Sequence, residues 1–358
     1  MKLETTAAQI RSALHILKGV VGRRNTTPVL GTVKFENGQL TGTNLDIEAT
    51  VALPSIGSQE GTAAIDYFGL AAIAHHIARD ETVMVAEEQG IASLSFNGST
   101  YRMPSYPVAD FPVFGTVDGP RSSAGNLGLV NAMRRVRFAI STEETRYYLN
   151  GVAIVGDREG RPLVAATDGH RLAMLPLPSA PDGSIGKIIP SHLVHLVCRG
   201  GIEPDAVIFD EKLPRARFEL PGLTISAKLI DGTFPDIFRV VPSSPQPAFS
   251  VDRAQLLPVL LRLRAFAYRR AGVKLEADGS HLKLTMSHLE RQATEIVPLA
   301  AAMTPFSAGF NLDYLVDALS VFRGDTVTFA AEGEASGRPN LMTCTDDPLT
   351  IILMPMRV

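Results

Sequence analysis

The feature that most constrains the fold of this chain is an internal repeat. Three segments each contain an alternating strand, a turn with glycine and a second strand: VLGTVKFENGQLTGTNLD (29–46), YLNGVAIVGDREGRPLVAATDGHR (148–171) and RAGVKLEADGSHLKLTMSHLE (270–290). Gly31, Gly151 and Gly272 hold matching positions in these segments and are separated by 120 and 121 residues. Because repeats of this length mark one structural unit used several times, the spacing predicts three copies of one module.

A second set of landmarks follows the same period. Phe111-Pro112 lies near the end of the first third of the chain, and Phe234-Pro235 follows 123 residues later. Pro355 lies 120 residues beyond Pro235. These positions divide the chain into three predicted modules, which are residues 1–121, 122–247 and 248–358.

Each predicted module contains two helices and several short strands. On the first helix, Ile10, Leu14, Leu17 and Val21 recur at helical spacing and form an apolar stripe. The leading helices are TAAQIRSALHILKGV, NLGLVNAMRRVRFAI and DRAQLLPVLLRLRAFA, and the second helices are DYFGLAAIAHHIAR, PSHLVHLVCRG and NLDYLVDALSVFRG. The alternation of helices with hairpins predicts an α+β fold in which the helices gather on one side of antiparallel sheets.

The leading helices also carry basic residues. In the middle module the apolar stripe leaves Arg134 and Arg135 away from it. In the last module Pro258 lies inside the helix, where a proline costs a backbone hydrogen bond. The net charge of −3 argues against a protein that coats nucleic acid with its whole surface, but it permits a basic face on an acidic body.

Two further observations concern the cellular compartment. The chain contains no run of eighteen apolar residues, and the first segment, MKLETTAAQI, lacks the apolar core of a signal peptide. The two cysteines, Cys198 and Cys344, lie far apart without the spacing of metal ligands. We therefore expect a reduced, cytoplasmic protein that is not bound to a membrane.

The stretch ATDGHRLAM (166–174) contains residue types that hydrolases use. In many hydrolases the general base is an imidazole, such as that of His170, which a carboxylate such as Asp168 holds in position. A hydrolase would also need a nucleophile and an oxyanion site, and no Gly-x-Ser-x-Gly elbow occurs in the sequence. The same residues fit a polar strand end closed by an Asx-type turn. We therefore expect no catalytic residue, and we consider a hydrolase less well supported than a non-catalytic role for this stretch.

Two other short patterns do not support a cofactor. His192 and His195 form His-x-x-His on a predicted helix, but no third zinc ligand is evident. The segment DGSIGK (182–187) has the wrong spacing for a phosphate-binding loop. We therefore expect neither a metal nor a nucleotide cofactor.

Five segments carry a family resemblance: RYYLNGV (146–152), ATDGHRLA (166–173), KLIDGTFPD (228–236), GFNLDYLVDAL (309–319) and the terminal MPMRV. They resemble the bacterial DNA polymerase III beta subunit, the sliding clamp of the DNA clamp family. The resemblance covers all three modules in order. It implies a non-catalytic processivity factor whose two chains join head to tail in a ring around double-stranded DNA, with helices inside and sheets outside.

The resemblance also implies partners and site residues. The ring would bind DNA without sequence preference, be opened by an ATP-driven clamp loader, and serve the catalytic subunit of the replicative polymerase as well as other polymerases and repair proteins. The resemblance implies that Arg24, Arg146, Tyr147 and Tyr148 bind DNA, and we add Arg23 and Arg134 because of their positions on a loop or a leading helix. The implied pocket for partner peptides comprises Leu149, Thr167, Gly169, His170, Arg171, Leu172, Pro235, Arg239, Val240, Asn311, Tyr314, Ile352, Met354, Pro355, Met356 and Arg357.

Two positions depart from the family pattern. Arg270 occupies a position where the family often has an aromatic residue at the pocket, and His192 occupies one where the family tends to have a basic residue. These departures leave a second hypothesis open, in which the chain is a clamp paralogue that serves a specialised polymerase or a repair system.

Overall fold

The computed structural model describes residues 1–23, 27–57, 59–125, 127–267, 271–288 and 290–358. Within these residues no helix is long and apolar enough to cross a membrane. The chain packs as two compact units. The first comprises Met1–Asn126, Pro181–Gly183 and Ile202–Leu229, and the second comprises Leu127–Ala180, Ser184–Gly201 and Ile230–Val358. This division does not test the module boundaries, so the three-module division stays a prediction.

The first third of the chain begins with a strand that leads directly into a helix. Helix α1 (Ala7–Leu17) starts with a capping box, since the Thr6 hydroxyl accepts from the Gln9 amide while the Gln9 side-chain oxygen accepts from the Thr6 amide. Leu14 and Leu17 of its predicted apolar stripe are buried. The other elements are helix α2 (Tyr67–Ala74) and strands β1 (Lys2–Thr6), β2 (Thr32–Glu36), β3 (Gln39–Thr43), β4 (Ile47–Ala52), β5 (Gln59–Glu60), β6 (Ala63–Asp66), β7 (Thr82–Glu88), β8 (Ile91–Phe96) and β9 (Ser99–Tyr106).

The middle third repeats this order of helices and hairpins. Helix α3 (Leu129–Val136) follows Gly128, which has a left-handed backbone with φ of 61°. Helix α4 (Ser191–Cys198) packs against α3. The strands of this third are β10 (Arg121–Ser123), β11 (Gly151–Gly156), β12 (Pro162–Thr167), β13 (Arg171–Pro176), β14 (Ile188–Pro190), β15 (Ala206–Phe209), β16 (Arg215–Leu220) and β17 (Leu223–Lys228).

The last third contains a helix that continues through a proline. Helix α5 (Arg253–Phe266) includes Pro258, and the buried Leu256, Leu260 and Leu263 anchor it on both sides of the lost backbone bond. It packs against helix α6 (Leu312–Val321). The strands are β18 (Gln246–Asp252), β19 (Gly272–Asp278), β20 (His281–His288), β21 (Arg291–Pro298), β22 (Ala301–Ala302), β23 (Phe306–Asn311), β24 (Thr326–Ala331), β25 (Asn340–Cys344) and β26 (Asp347–Leu353).

The three repeated segments form antiparallel hairpins, namely β2–β3, β11–β12 and β19–β20. In the first compact unit the described strands form a thirteen-stranded sheet in the order β10-β15-β16-β17-β4-β3-β2-β6-β9-β8-β7-β1-β5. In the second unit they form a nine-stranded sheet, β14-β11-β12-β13-β26-β25-β24-β18-β22, and a four-stranded sheet, β21-β20-β19-β23. The predicted α+β class with antiparallel sheets is confirmed.

Strand pairing joins neighbouring thirds of the chain within each compact unit. In the first unit β4 pairs with β17 from Val51 opposite Leu223 onward. In the second unit β13 pairs with β26, which places Leu172 opposite Ile352. The pairing of β13 with β26 is the step that brings the stretch near residue 170 beside the end of the chain.

One arginine of α3 is buried. Arg135, which the helical pattern leaves away from the apolar stripe, is 6% exposed. Its guanidinium lies 2.5 Å from an oxygen of Asp347, whose side chain is fully buried, and it also donates to the Val321 carbonyl. A buried arginine of this kind needs a paired carboxylate, and that partner comes from a strand more than 200 residues away.

Candidate functional site

The stretch ATDGHRLAM forms the tight connection between β12 and β13. Asp168 accepts hydrogen bonds from the backbone amides of His170 and Arg171 at 2.9 and 3.0 Å. Gly169 has a φ of +88°, a left-handed value that glycine adopts without a steric cost. The Asx-type turn considered from the sequence is therefore present.

The turn does not build a catalytic dyad. The second oxygen of the Asp168 carboxylate accepts from the Arg171 guanidinium at 3.0 Å. Among the described residues no hydrogen bond joins this carboxylate to the His170 imidazole, so the geometry lacks the contact that orients a general base. The hydrolase hypothesis loses its structural basis.

A hydrophobic pocket of about 150 Å³ opens beside this turn. Its floor is apolar core, because Leu149, Leu172 and Ile352 are all buried in one cluster. Its rim is accessible, since Val240 and Met354 are 42% and 38% exposed. The lining residues are Leu149, Thr167, Gly169, His170, Arg171, Leu172, Pro235, Asp236, Ile237, Val240, Ile352 and Met354. We call this set the hydrophobic pocket.

Main-chain pairing assembles the hydrophobic pocket from distant parts of the sequence. The Met354 amide donates to the His170 carbonyl at 2.9 Å, which extends the ladder between β13 and β26 by one more bond. Two residues later the Met356 amide donates to the Gly309 carbonyl at 2.8 Å. The end of the chain is thus held by one backbone bond at the pocket rim and by a second bond beyond it, so the segments near residues 170 and 354 meet as the resemblance implies.

Arg171 forms a rigid wall of the hydrophobic pocket. Its side chain is 10% exposed, and its guanidinium lies 2.7 Å from an oxygen of Asp317 in addition to the contact with Asp168. The same group lies over the rings of Tyr314 and Phe138, at 4.3 and 5.1 Å from the ring centres. Two carboxylates and two aromatic faces leave the guanidinium a single favourable position.

Ten of the sixteen residues predicted for the pocket line it, and the other six do not. Tyr314 stacks behind Arg171, and Asn311 caps α6 by accepting from the Asp313 amide at 2.9 Å. Arg239 points away from the pocket floor, with a side chain that is 83% exposed. Pro355, Met356 and Arg357 continue the chain beyond the pocket lining.

Two lining residues, Asp236 and Ile237, are not among those predicted from the sequence. They follow Pro235 in a 3-10 helix, Ile237–Arg239, which Asp236 caps by accepting from the Phe238 amide at 3.2 Å. An aspartate after proline and before apolar residues is a helix-start signal, so the sequence did contain a local indication of this turn.

The residues predicted to bind DNA lie in different surroundings. In the first unit Arg23 lies 5.5 Å from the ring centre of Phe68, beside a groove between α1 and α2. In the second unit Arg134 is exposed on α3, while Arg146 is ion-paired with Glu143 at 2.6 Å. Tyr147 is 55% exposed and packs edge-to-face on Tyr148. Arg24 and Arg270 lie outside the described residues.

The described residues contain no group of three or more histidine, cysteine, aspartate or glutamate side chains placed to hold a metal ion. The polar groups around the pocket are instead engaged in turns, helix caps and the contacts of Arg171. The arrangement therefore supports binding of an apolar side chain on a main-chain frame, with charged groups at its edge.

The chain is similar to proteins of one known family in both sequence and structure. Residues 126–236 match the family described as DNA polymerase III beta subunit, central domain, and residues 238–357 match its C-terminal domain. The beta sliding clamp of Caulobacter vibrioides is 33% identical over 387 residues, with both chains covered completely. Similar crystal structures include a DnaN sliding clamp from Bartonella birtlesii bound to griselimycin (TM-score 0.91, 30% identity) and one from Pseudomonas aeruginosa bound to griselimycin (0.89, 27%), each with complete coverage of both chains.

Proposed function

The chain belongs to the DNA polymerase III beta subunit family, the bacterial sliding clamps, and we propose that two copies close into a ring around double-stranded DNA. The protein is a DNA sliding clamp, a non-catalytic subunit that supports DNA replication. A ring increases processivity because it is linked topologically to DNA and needs no tight contact with it. The clamp paralogue is not favoured, since the relatives are sliding clamps.

Internal symmetry supports the head-to-tail ring. Each predicted module contains three consecutive paired strands, namely β2–β3–β4, β11–β12–β13 and β19–β20–β21. The third strand of the first set, β4, pairs antiparallel with β17, the last strand of the next predicted module, and β13 pairs in the same way with β26. The strands that hold the same positions and lack such a partner in the described part of the chain are β21, the third strand of the last set, and β9, the last strand of the first predicted module. Among the described residues β21 pairs only with β20, and Ser99–Pro104 of β9 pair only with β8.

Pairing of β21 with β9 of a second copy would complete this pattern. Open strand edges present unpaired amide and carbonyl groups, which favour such a contact. A head-to-tail contact that uses the two ends of each chain closes into a ring when the rotation permits it. Side chains at both edges suit burial, because Ile296 on β21 is 63% exposed and Tyr101 on β9 is 45% exposed.

The ring is tested by the mass of the native protein and by its retention on DNA. We expect a dimer at micromolar concentration that stays on nicked circular DNA and is lost when the circle is cut. Ile296→Asp should give monomers without retention, while Ile202→Asp, at an exposed position outside both edges, should leave the dimer intact. A stable wild-type monomer, or sequence-specific binding to a short linear duplex, would contradict the ring.

Contact with DNA is assigned to Arg23, Arg24, Arg134, Arg146, Tyr147 and Tyr148. Exposed guanidinium groups such as that of Arg134 attract phosphates without reading bases, so affinity for a short duplex should be weak and should fall steeply with salt. The ion pair of Arg146 with Glu143 reduces the charge that Arg146 offers to a phosphate.

The hydrophobic pocket is the proposed attachment site for partner proteins. The observation that carries this assignment is an accessible hollow whose floor is buried core and whose rim carries the exposed Val240 and Met354. A partner would insert an extended peptide with a leucine or phenylalanine anchor. Thioether side chains adapt to anchors of different shape, which suits several partners.

The partners proposed for this pocket are the catalytic subunit of the replicative polymerase, other polymerases and repair proteins. An ATP-driven clamp loader is a further proposed partner, because a closed ring must be opened to reach circular DNA. We place the protein in the cytoplasm, where bacterial DNA is replicated.

A further inference from the structure

A second hollow, of about 360 Å³, lies next to the hydrophobic pocket. Val240 lines both, so the two hollows share a wall. The residues that matter for the second hollow are Arg158, Arg239, Val240, Ser243, Glu332 and Arg338. We call this set the arginine groove.

Three separate elements each bring an arginine to the arginine groove. Arg158 lies in the connection between β11 and β12, Arg239 ends the 3-10 helix Ile237–Arg239, and Arg338 precedes β25. All three are exposed. Convergence of guanidinium groups from three loops concentrates positive charge at one place on the surface.

Two of these guanidinium groups form no close ion pair, although the charge of Arg338 contributes to lowering the pKa of the nearby Glu332 carboxyl. Among the described residues neither Arg158 nor Arg338 forms an ion pair within 4.0 Å, and Arg158 makes one long bond, 3.4 Å, to the Phe238 carbonyl. Arg239 contacts Asp236 at 3.3 Å, with both side chains largely exposed. An exposed pair of this kind is weak and can be exchanged for a better carboxylate.

The carboxylate of the arginine groove, Glu332, is already engaged. It accepts from the amide and hydroxyl of Ser243 at 2.9 and 3.1 Å, and from the Ser244 amide at 3.5 Å. These bonds direct its oxygens to the loop Ser243–Ser244. The lining of the groove therefore contains three guanidinium groups and one carboxylate, that of Glu332, while Asp236, which pairs with Arg239, lies outside the lining.

We propose that the arginine groove binds an acidic side chain of the same peptide whose apolar anchor fills the hydrophobic pocket. This inference rests on the proposed function of that pocket. Because the hollows share Val240, an extended chain passes from one to the other within a few residues. A peptide carboxylate would receive charge-assisted hydrogen bonds from planar guanidinium groups, which match it in a bidentate manner.

The test measures binding of synthetic peptides to the full-length dimer by fluorescence anisotropy. One peptide carries a Leu-Phe anchor preceded by Asp-Asp, a second has Asp-Asp after the anchor, and two more carry Asn-Asn at these places. We expect one Asp-Asp peptide to bind about tenfold more tightly than its Asn-Asn form at low salt.

The variants that probe the arginine groove are Arg158→Gln and Arg338→Gln, combined in one protein. The matched control is Arg161→Gln, because Arg161 lies in the same connection as Arg158, is exposed, and does not line the groove. The double variant should lose the preference for aspartate and bind both forms equally. Arg161→Gln should keep the tenfold preference, which shows that removing one exposed positive charge from the same connection is not sufficient to abolish it.

The outcomes distinguish this inference from the proposed function. If both forms bind wild type equally, while replacing Leu-Phe by Ala-Ala removes binding, the pocket stands and the arginine groove is overturned. If replacing Leu-Phe by Ala-Ala leaves peptide binding unchanged, both the proposed role of the hydrophobic pocket and that of the arginine groove fail. Aspartate preference that persists in the double variant, or a double variant that loses retention on circular DNA instead of peptide selectivity, also overturns the inference.

Discussion

The hydrophobic pocket and the arginine groove lie side by side at Val240, yet different forces shape them. The pocket is framed by backbone pairing of β13 with β26 and by Arg171, which is 10% exposed. The groove is formed by side chains on three loops, among them Arg239, which is 83% exposed. We expect a frame of this kind to position an apolar anchor, and exposed charges to select between peptides whose anchor already fits.

The largest expected effect comes from removing the pocket rim. Deletion of residues 354–358 takes away Met354 and the two backbone bonds that hold the end of the chain. Anchor binding should be abolished, with affinity at least about 100-fold weaker, since a few buried contacts carry most of the energy at such sites. Peptide anisotropy measures the loss and native mass shows an intact dimer. Unchanged affinity would reduce ATDGHRLAM to a structural turn.

The next effect contrasts one arginine from each region. Arg171→Ala removes the contacts with two carboxylates and two rings, and should weaken anchor binding about tenfold while lowering the melting temperature. Arg239→Ala should leave the stability within about 0.5 kcal/mol, because its side chain is largely exposed. Equal losses of stability in thermal unfolding would show that the two arginines are not distinguished by burial.

A smaller effect is expected at His170. Its side chain lines the hydrophobic pocket, while its carbonyl, which holds Met354, is unaffected by a side-chain change. His170→Ala should therefore weaken anchor binding by only about fivefold, roughly 1 kcal/mol. The anisotropy assay measures this value. A loss as large as that of the tail deletion would mean that the imidazole, and not the backbone frame, dominates the pocket.

Salt should separate the two regions. Raising the salt from about 0.1 M to about 1 M shortens the Debye length from about 10 to 3 Å. The ratio of the affinities for the Asp-Asp and Asn-Asn peptides should then fall from about ten toward one, because the preference depends on exposed guanidinium groups. Affinity for the Asn-Asn peptide should stay within about twofold, since apolar burial is not screened. If salt weakened binding of the Asn-Asn peptide and left the aspartate preference unchanged, binding of the anchor would be mainly electrostatic.

The smallest effect concerns the loop that engages Glu332. Hydrogen bonds from the Ser243 amide and hydroxyl, and then from the Ser244 amide, hold the pKa of Glu332 below its ordinary value of 4.5. A lowered pKa means that the carboxylate stabilises the folded loop above pH 4.5, and that this contribution is lost as pH falls through the lower folded value. The Ser243 amide resonance should titrate with a midpoint below 4.5; a midpoint above it would contradict the bonds described.

Several features were predictable because neighbouring residues decide them. The three hairpins follow from strand alternation around glycine turns, and the burial of Leu14 and Leu17 follows from helical spacing. Ten lining residues of the pocket were predicted by resemblance to the clamp family, although no local pattern links Leu172 with Ile352. The assignment of roles to these residues remains a prediction.

Tertiary structure alone decided which charged groups meet. Arg135 and Arg134 are adjacent on one helix, yet one is buried against Asp347 and the other is exposed. Arg158 and Arg338 converge on one groove from positions 180 residues apart. The amino-acid sequence by itself determined the three repeated hairpins, the α+β class and the absence of a local catalytic motif, because these depend on the spacing of nearby residues. Charge pairing depends on strand register and on the positions of distant loops, so only the folded chain specifies it.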